Sequence, residues 1–326
     1  MNTMSSLTNK QYDRLVDTIG DATKCSREGI FAGKKADASE IVRLITAKPW
    51  RRTSVDEASL EDIKKKVTLC MSNDLPLEFA LPFGGYKGWR CKDFPHVDWA
   101  EVFWLDYLSQ FAGRIAEVYQ PGVRVTLSYT SGVIEWMNQI PEEFTQTYLK
   151  ELSSLLIVKS SNEVTFALED HSIQYGGASN VIALLEERVE TGSYPDEVAL
   201  ASAARNLFPG CGNAARIPDV QDTELAARRC AAMMSLEARR AFNKFGPRVQ
   251  LTHIRGGALS LHIGSTRSSV AQPWVSSGYL CWDASRDEWI PRLANRDSWP
   301  QQVHDIDLGE SWLSPYTALR TVPVVY

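Results

Sequence analysis

Residues 77–83 form a short, almost wholly apolar run that ends in a glycine pair, the pattern of a buried strand. Over 97–119 the period lengthens. Val102, Leu105, Leu108, Phe111, Ile115 and Val118 recur near the helical repeat until Pro121-Gly122 stops them. Strands over 123–129 and 163–170 follow, separated by a helix over 141–156 that Pro141 opens, with Glu142 and Glu143 in its first turn. A helical stretch with Glu186, Glu187 and Glu190 comes next, then a shorter one near Asp196, then a long helix over 223–245 closed by Gly246-Pro247. Residues 249–254 and 258–264 read as a hairpin joined by Arg255-Gly256-Gly257. Upstream, residues 1–48 read as short helices and 56–70 as another. The Trp- and Pro-rich tail after about residue 266 shows little periodicity.

Strand and helix alternating through 77–190 predict an α/β fold. It is a Rossmann-like, doubly wound, mostly parallel sheet with helices on both faces and a C-terminal hairpin extension. Residues 1–75 form a helical segment packed on a catalytic domain over 76–326, the two making one globular unit. In such sheets ligands bind beyond the carboxyl ends of the strands. The exits at 83–91, 128–138 and 169–177 are therefore the places to look for chemistry.

Composition narrows the classes. The chain has 326 residues, 44% of them hydrophobic, which suffices for a large core, and a net charge of −5 gives no global attraction to nucleic acid. No apolar run approaches the roughly 18–20 residues of a membrane span, and the N-terminus lacks a signal-peptide layout, so a cytoplasmic protein is expected. Six cysteines without a CxxC and five histidines without HxxxH or HExxH predict reduced thiols, no metal and no cofactor.

The first exit, Gly84-Gly85-Tyr86-Lys87-Gly88-Trp89-Arg90, matches neither GxxxxGK[ST] nor GxGxxG, which excludes the two common nucleotide loops. It is either a turn needing positive φ or a floor where backbone meets substrate, with Tyr86, Lys87 or Arg90 assisting. Asp98 and Glu101, three apart at a helix start, fit a capping box; they also fit a carboxylate pair able to hold a guanidinium. The second exit offers Ser128, Ser131 and Asn138, and the third offers Asp170 and Tyr175. His171 reads as a surface residue and His262 as a core one. Arg228, Arg229, Arg239 and Arg240 on the 223–245 helix form either a solvated face or a phosphate-binding patch.

Several of these pieces are similar, in order, to the isonitrile synthases of pyoverdine and dityrosine biosynthesis. They are Leu81-Pro82-Phe83, Asp98-x-x-Glu101, Tyr119-x-Pro121-Gly122, Ser128 with Gly132, Asn138-x-x-Pro141, Leu259-Ser260-Leu261-His262 and Pro273-Trp274. That resemblance implies a Rossmann-like core and conversion of an amino acid's amine to an isonitrile with carbon from ribulose 5-phosphate. The glycine loop, however, replaces that family's Lys-Ser-Pro-Asn. The chain also resembles the fungal arginine-containing cyclodipeptide synthases, in which Asp-x-x-Glu holds arginine. On that resemblance the expected activity is a tRNA-dependent cyclodipeptide synthase joining arginine and a second amino acid, with arginyl-tRNA and another aminoacyl-tRNA as partners. Asp98 and Glu101 would grip the arginine, Gly84 and Gly85 would face an oxyanion, Ser128 would be a candidate acyl acceptor, and the arginine helix would meet tRNA. An isonitrile synthase is the alternative.

Overall fold

The computed structural model describes residues 7–25, 29–33, 36–51, 54–138, 140–193, 225, 227–233, 248–251, 273–294, 298–309 and 316–326. Three full strands, β1 (Leu77–Pro82), β2 (Val123–Tyr129) and β3 (Val164–Asp170), run parallel, and the two-residue β4 (Val249–Gln250) lies parallel to β1. Their order is β3-β2-β1-β4, one half of a doubly wound sheet. The α/β class and the three strand positions expected from the sequence are those observed. Of the expected 249–264 hairpin, Val249–Gln250 extends the parallel sheet, and residues 252–264 lie outside the described residues.

Side-chain alternation sets what each sheet face meets. Leu77, Phe79 and Leu81, with Val123, Val125 and Leu127, are all essentially solvent-free. They belong to a core shared with α4 (Trp99–Ala116) and α6 (Glu142–Lys159). Helix α4 is buried around most of its circumference, as its dense apolar run demands. One side of it packs on β2 and β3, and another on a second sheet.

That second sheet was not foreseen in the aperiodic tail. It contains β5 (Ser277–Asp283), β6 (Glu288–Ala294), β7 (His304–Asp307) and β8 (Thr321–Val325) in the order β6-β5-β8-β7. The β5–β6 and β7–β8 pairs are antiparallel and β5–β8 is parallel. Trp99 Nε1 donates to the carbonyl of Thr321 at 2.7 Å, fastening the start of α4 to β8.

Before the sheet come α1 (Asn9–Thr23), α2 (Ala38–Ile45) and α3 (Glu57–Ser72). Their buried Leu15, Ile19, Ile41, Ile45, Ile63 and Val67 join the same core. Buried Lys159 on α6 donates to the carbonyls of Ala22 and Lys24 at 2.6 and 2.7 Å, capping the end of α1. Among the described residues no helix is long and apolar enough to cross a membrane.

Candidate active site

The strand exits sit side by side because the register is level: Pro82 pairs with Ser128, and Ser128 with Glu169. Beyond β1, Phe83 N donates to Ser128 O at 2.9 Å, and its ring meets Tyr129 and Trp274 edge-on. Both glycines that follow have a steric reason. A Cβ on Gly84 would lie 2.6 Å from Trp274 Cδ1, and Gly85 has φ +74°. Tyr86 is buried, which raises its phenol well above the ordinary tyrosine range.

Lys87, the next residue, turns inward and is 1% exposed. Its Nζ lies 2.8 Å from both oxygens of Glu101 and 3.2 Å from Asp98 Oδ2, and it donates to the carbonyls of Pro273 and Ser276 at 3.1 and 2.9 Å. Tyr148 on α6 donates to Glu101 Oε1 at 3.0 Å. The carboxylates also cap α4 reciprocally. Asp98 Oδ1 accepts from Ala100 N at 2.7 Å and from Gly278 N at 3.2 Å, and Glu101 Oε2 accepts from Asp98 N at 2.9 Å. Burial pulls the Lys87 ammonium down, but Asp98 and Glu101 outweigh it and hold its pKa above the usual lysine value. Burial pushes the Glu101 carboxyl up to about 7 against the pull of Lys87. This is a closed buried cluster. It ties the glycine loop, the start of α4 and the segment entering β5 to one another, and it satisfies the pair expected to hold a substrate guanidinium with an internal cation.

The other exits carry a second set of groups. Asp170 Oδ1 accepts from Ser131 N at 3.1 Å and Ser172 N at 2.9 Å, so it ties the second exit loop to the third and caps the 3-10 turn His171–Tyr175. Glu169 is paired with Arg248, whose Nη2 donates to Oε1 at 3.0 Å, and that bond holds its carboxyl below the usual range. His171, expected at the surface, is 1% exposed, with Nε2 3.5 Å from Glu169 Oε1. Ser128 is 5% exposed, and its Oγ makes no hydrogen bond among the described residues. From α5 (Val133–Asn138), Glu135 Oε1 accepts from Thr145 Oγ1 at 2.6 Å, while Oε2, also buried, has no such partner. Asn138 is the last residue of α5.

Other expected positions fall elsewhere. Tyr175 packs on the smaller cluster of Val133, Met137, Val181 and Leu185. Arg90 lies over the Trp89 ring at 5.2 Å. Residues 227–233 are helical; within them the Arg229 guanidinium sits 4.1 Å above the Trp136 ring and donates to its carbonyl at 3.0 Å. That stacking directs Arg229 onto the protein itself. Arg228 is half-buried, and Arg239 and Arg240 lie outside the described residues, as does His262.

Sequence reasoning missed Glu135, Thr145, Tyr148 and Arg248. Glu135, Tyr148 and Arg248 stand beside apolar residues and Thr145 lies in a polar first turn, and in both settings periodicity assigns position and says nothing about chemistry.

No protein-family model matches the chain. A stretch of 180 residues, 53% of this chain, is 28% identical to isocyanide synthase A of Aspergillus fumigatus, and it spans only 28% of that protein's length. The structure resembles the crystal structure of the PvcA protein from Pseudomonas aeruginosa with a TM-score of 0.58 at 15% identity, covering 88% of this chain and 99% of that one. A tyrosyl-tRNA synthetase from Pyrococcus horikoshii reaches a TM-score of 0.33 over 67% of this chain and 50% of that one at 13% identity, too distant to carry an argument. The chain is therefore an α/β protein with the PvcA fold and a local sequence similarity to an isocyanide synthase. These findings overturn the expectation of a tRNA-dependent cyclodipeptide synthase. The similarity runs to the enzyme type held as the alternative, and the Asp98/Glu101 pair that favoured arginine is closed on Lys87.

Proposed function

We propose that this protein is an isonitrile synthase of specialised metabolism, converting the amine of an amino acid to an isonitrile with a carbon taken from ribulose 5-phosphate. The observation that carries the reading is the 180-residue similarity to isocyanide synthase A. The PvcA-like fold, matched along nearly the whole of that structure, supports it. So do the level strand exits, which gather Ser128, Glu169 and Asp170 beyond the carboxyl ends of a parallel sheet.

The chemistry asks for a neutral amine held against a carbonyl, with water kept away while the nitrogen loses its hydrogens. In this reading the closed Lys87 cluster acts from behind. It fixes the glycine loop that floors the cleft and does not itself touch substrate.

Expression in a host that lacks isonitriles, followed by mass spectrometry of the culture, tests the proposal. The expected result is a compound whose formula is that of an amino acid, or its decarboxylated form, with both amine hydrogens replaced by a carbon. A culture that yields only cyclic dipeptides, or no new compound from folded protein, contradicts it.

A further inference from the structure

A cavity of about 460 Å³ opens on the second sheet, a volume within the roughly 300–1,000 Å³ of small-molecule sites. Lys92, Asp93, Phe94 and His96, in the segment ahead of α4, line one side of it. Ala318, Thr321 and Pro323 line the other. On β8, Val322 and Val324 are solvent-free and face the core, so by strand alternation Thr321 and Pro323 stand on the opposite face. None of the lining residues belongs to the exits of the parallel sheet at 83–91, 128–138 or 169–177. This is a second place for a ligand, and it does not depend on the isonitrile reading.

Pairing the charges around the cavity leaves one over. Lys92 Nζ lies 2.8 and 3.0 Å from the two oxygens of Asp305, with the Trp299 ring at 5.8 Å. Lys87 is committed to Asp98 and Glu101. His96 Nδ1 is 2.8 Å from Glu151 Oε1, and Glu151 Oε2 accepts from Val97 N at 3.0 Å. Asp93 remains. It is half-buried, yet its carboxylate makes no ion pair and no side-chain hydrogen bond among the described residues. Burial, and then Asp98, hold that carboxyl above the usual aspartate range. A charge drawn partly out of water without a partner is costly, and a cation supplied by a ligand relieves the cost.

The second acceptor is on His96. The Glu151 carboxylate accepts, so Nδ1 carries the proton and Nε2 of the neutral ring is left to accept another N–H. The rest of the lining suits a carbon body. Phe94 is fixed edge-on against Phe144, with ring centroids 4.9 Å apart, and Ala318 and Pro323 are apolar. A metal fits poorly: among the described residues no three His, Cys, Asp or Glu side chains come together to hold one. An anion would meet Asp93 with Lys92 already neutralised.

We propose that this cavity binds a small organic ammonium compound, its N–H groups donating to the Asp93 carboxylate and His96 Nε2 and its apolar body lying against Phe94, Ala318 and Pro323.

The test is calorimetric titration of the full chain with three probes of one shape: phenethylamine, phenethyl alcohol and 3-phenylpropionate. Wild type is expected to bind the amine about tenfold or more tighter than the alcohol, the size of a charge-assisted hydrogen bond, and the acid more weakly still. Asp93→Asn is expected to erase the preference for the amine. The backbone bond from His96 N to the Asp93 carbonyl, 2.8 Å long, survives that change. Ala318→Phe, which fills the cavity, is expected to abolish binding of the amine at an unchanged melting temperature. Should Ala318→Phe fold poorly, Asp93→Asn decides by itself. No amine binding at millimolar concentration overturns the proposal, as does equal binding of amine and alcohol. A preference that persists in Asp93→Asn overturns it too, since the amine would then be held elsewhere, as at the strand exits.

Discussion

Replacing Lys87 with methionine is expected to destabilise the protein by about 3–5 kcal/mol at neutral pH, the usual cost of removing one member of a buried ion pair. The ammonium is the only cation the structure shows against Asp98 and Glu101 among the described residues, and both carboxylates are buried to within 1% of completeness. Its pH dependence identifies the cause. Glu101 already has a folded pKa raised to about 7 from 4.5, burial being the main reason. A carboxyl raised on folding contributes stability that is present below its unfolded pKa and is lost as pH rises through the folded one. Removing Lys87 takes away the group that opposes the rise, so the folded pKa moves higher and the loss deepens. The gap in melting temperature between Lys87→Met and wild type should therefore be smaller at about pH 5 than at about pH 8. A gap that is constant across that range would mean lost packing rather than stranded carboxylates.

Gly278→Ala should be comparably severe for a different reason. A Cβ there would stand 2.3 Å from both Ala100 N and Trp99 C, which are backbone atoms of the first turn of α4 and cannot rotate aside. Strand β5 would have to withdraw from the helix, breaking the Gly278 N–Asp98 Oδ1 bond as it moves. Overpacking typically costs about 1–3 kcal/mol, and a Cβ set against backbone atoms that cannot rotate aside belongs at the top of that range. Gly113→Ala is the control. It lies within α4, where the nearest atom to a new Cβ is Ile30 Cδ1 at 3.9 Å, so the better helix former should add about 0.5–1 kcal/mol. Denaturant unfolding of the two variants should give shifts of opposite sign. Two equal shifts would refute the close approach of β5 to α4.

How much of this was visible beforehand depends on what sets each feature. The parallel strands were legible because each is a short apolar run closed by turn residues, and α4 because thirteen of its eighteen residues are buried. The second sheet was not. Its strands are four to seven residues long, half of their positions are only partly buried, and the β5–β8 pairing joins residues some forty positions apart. The same contrast runs through the site. Asp98 and Glu101 were legible as a capping box, since that geometry is local. Their partnership with Lys87 was not, because it depends on carbonyls 186 and 189 residues downstream. Ser128 could be placed at a strand exit from sequence, but that its buried Oγ lacks a hydrogen-bond partner among the described residues is a property of packing alone. Lys87 of the glycine loop, read from sequence as able to assist at a substrate floor, faces the core instead.

The most direct test of the central claim uses purified protein, the tightest-binding amino acid and uniformly carbon-13-labelled ribulose 5-phosphate. The account predicts an isonitrile that carries a single labelled carbon, bonded to the nitrogen of the amino acid. A labelled product without a carbon–nitrogen bond to that nitrogen, or an isonitrile with no label, would contradict it.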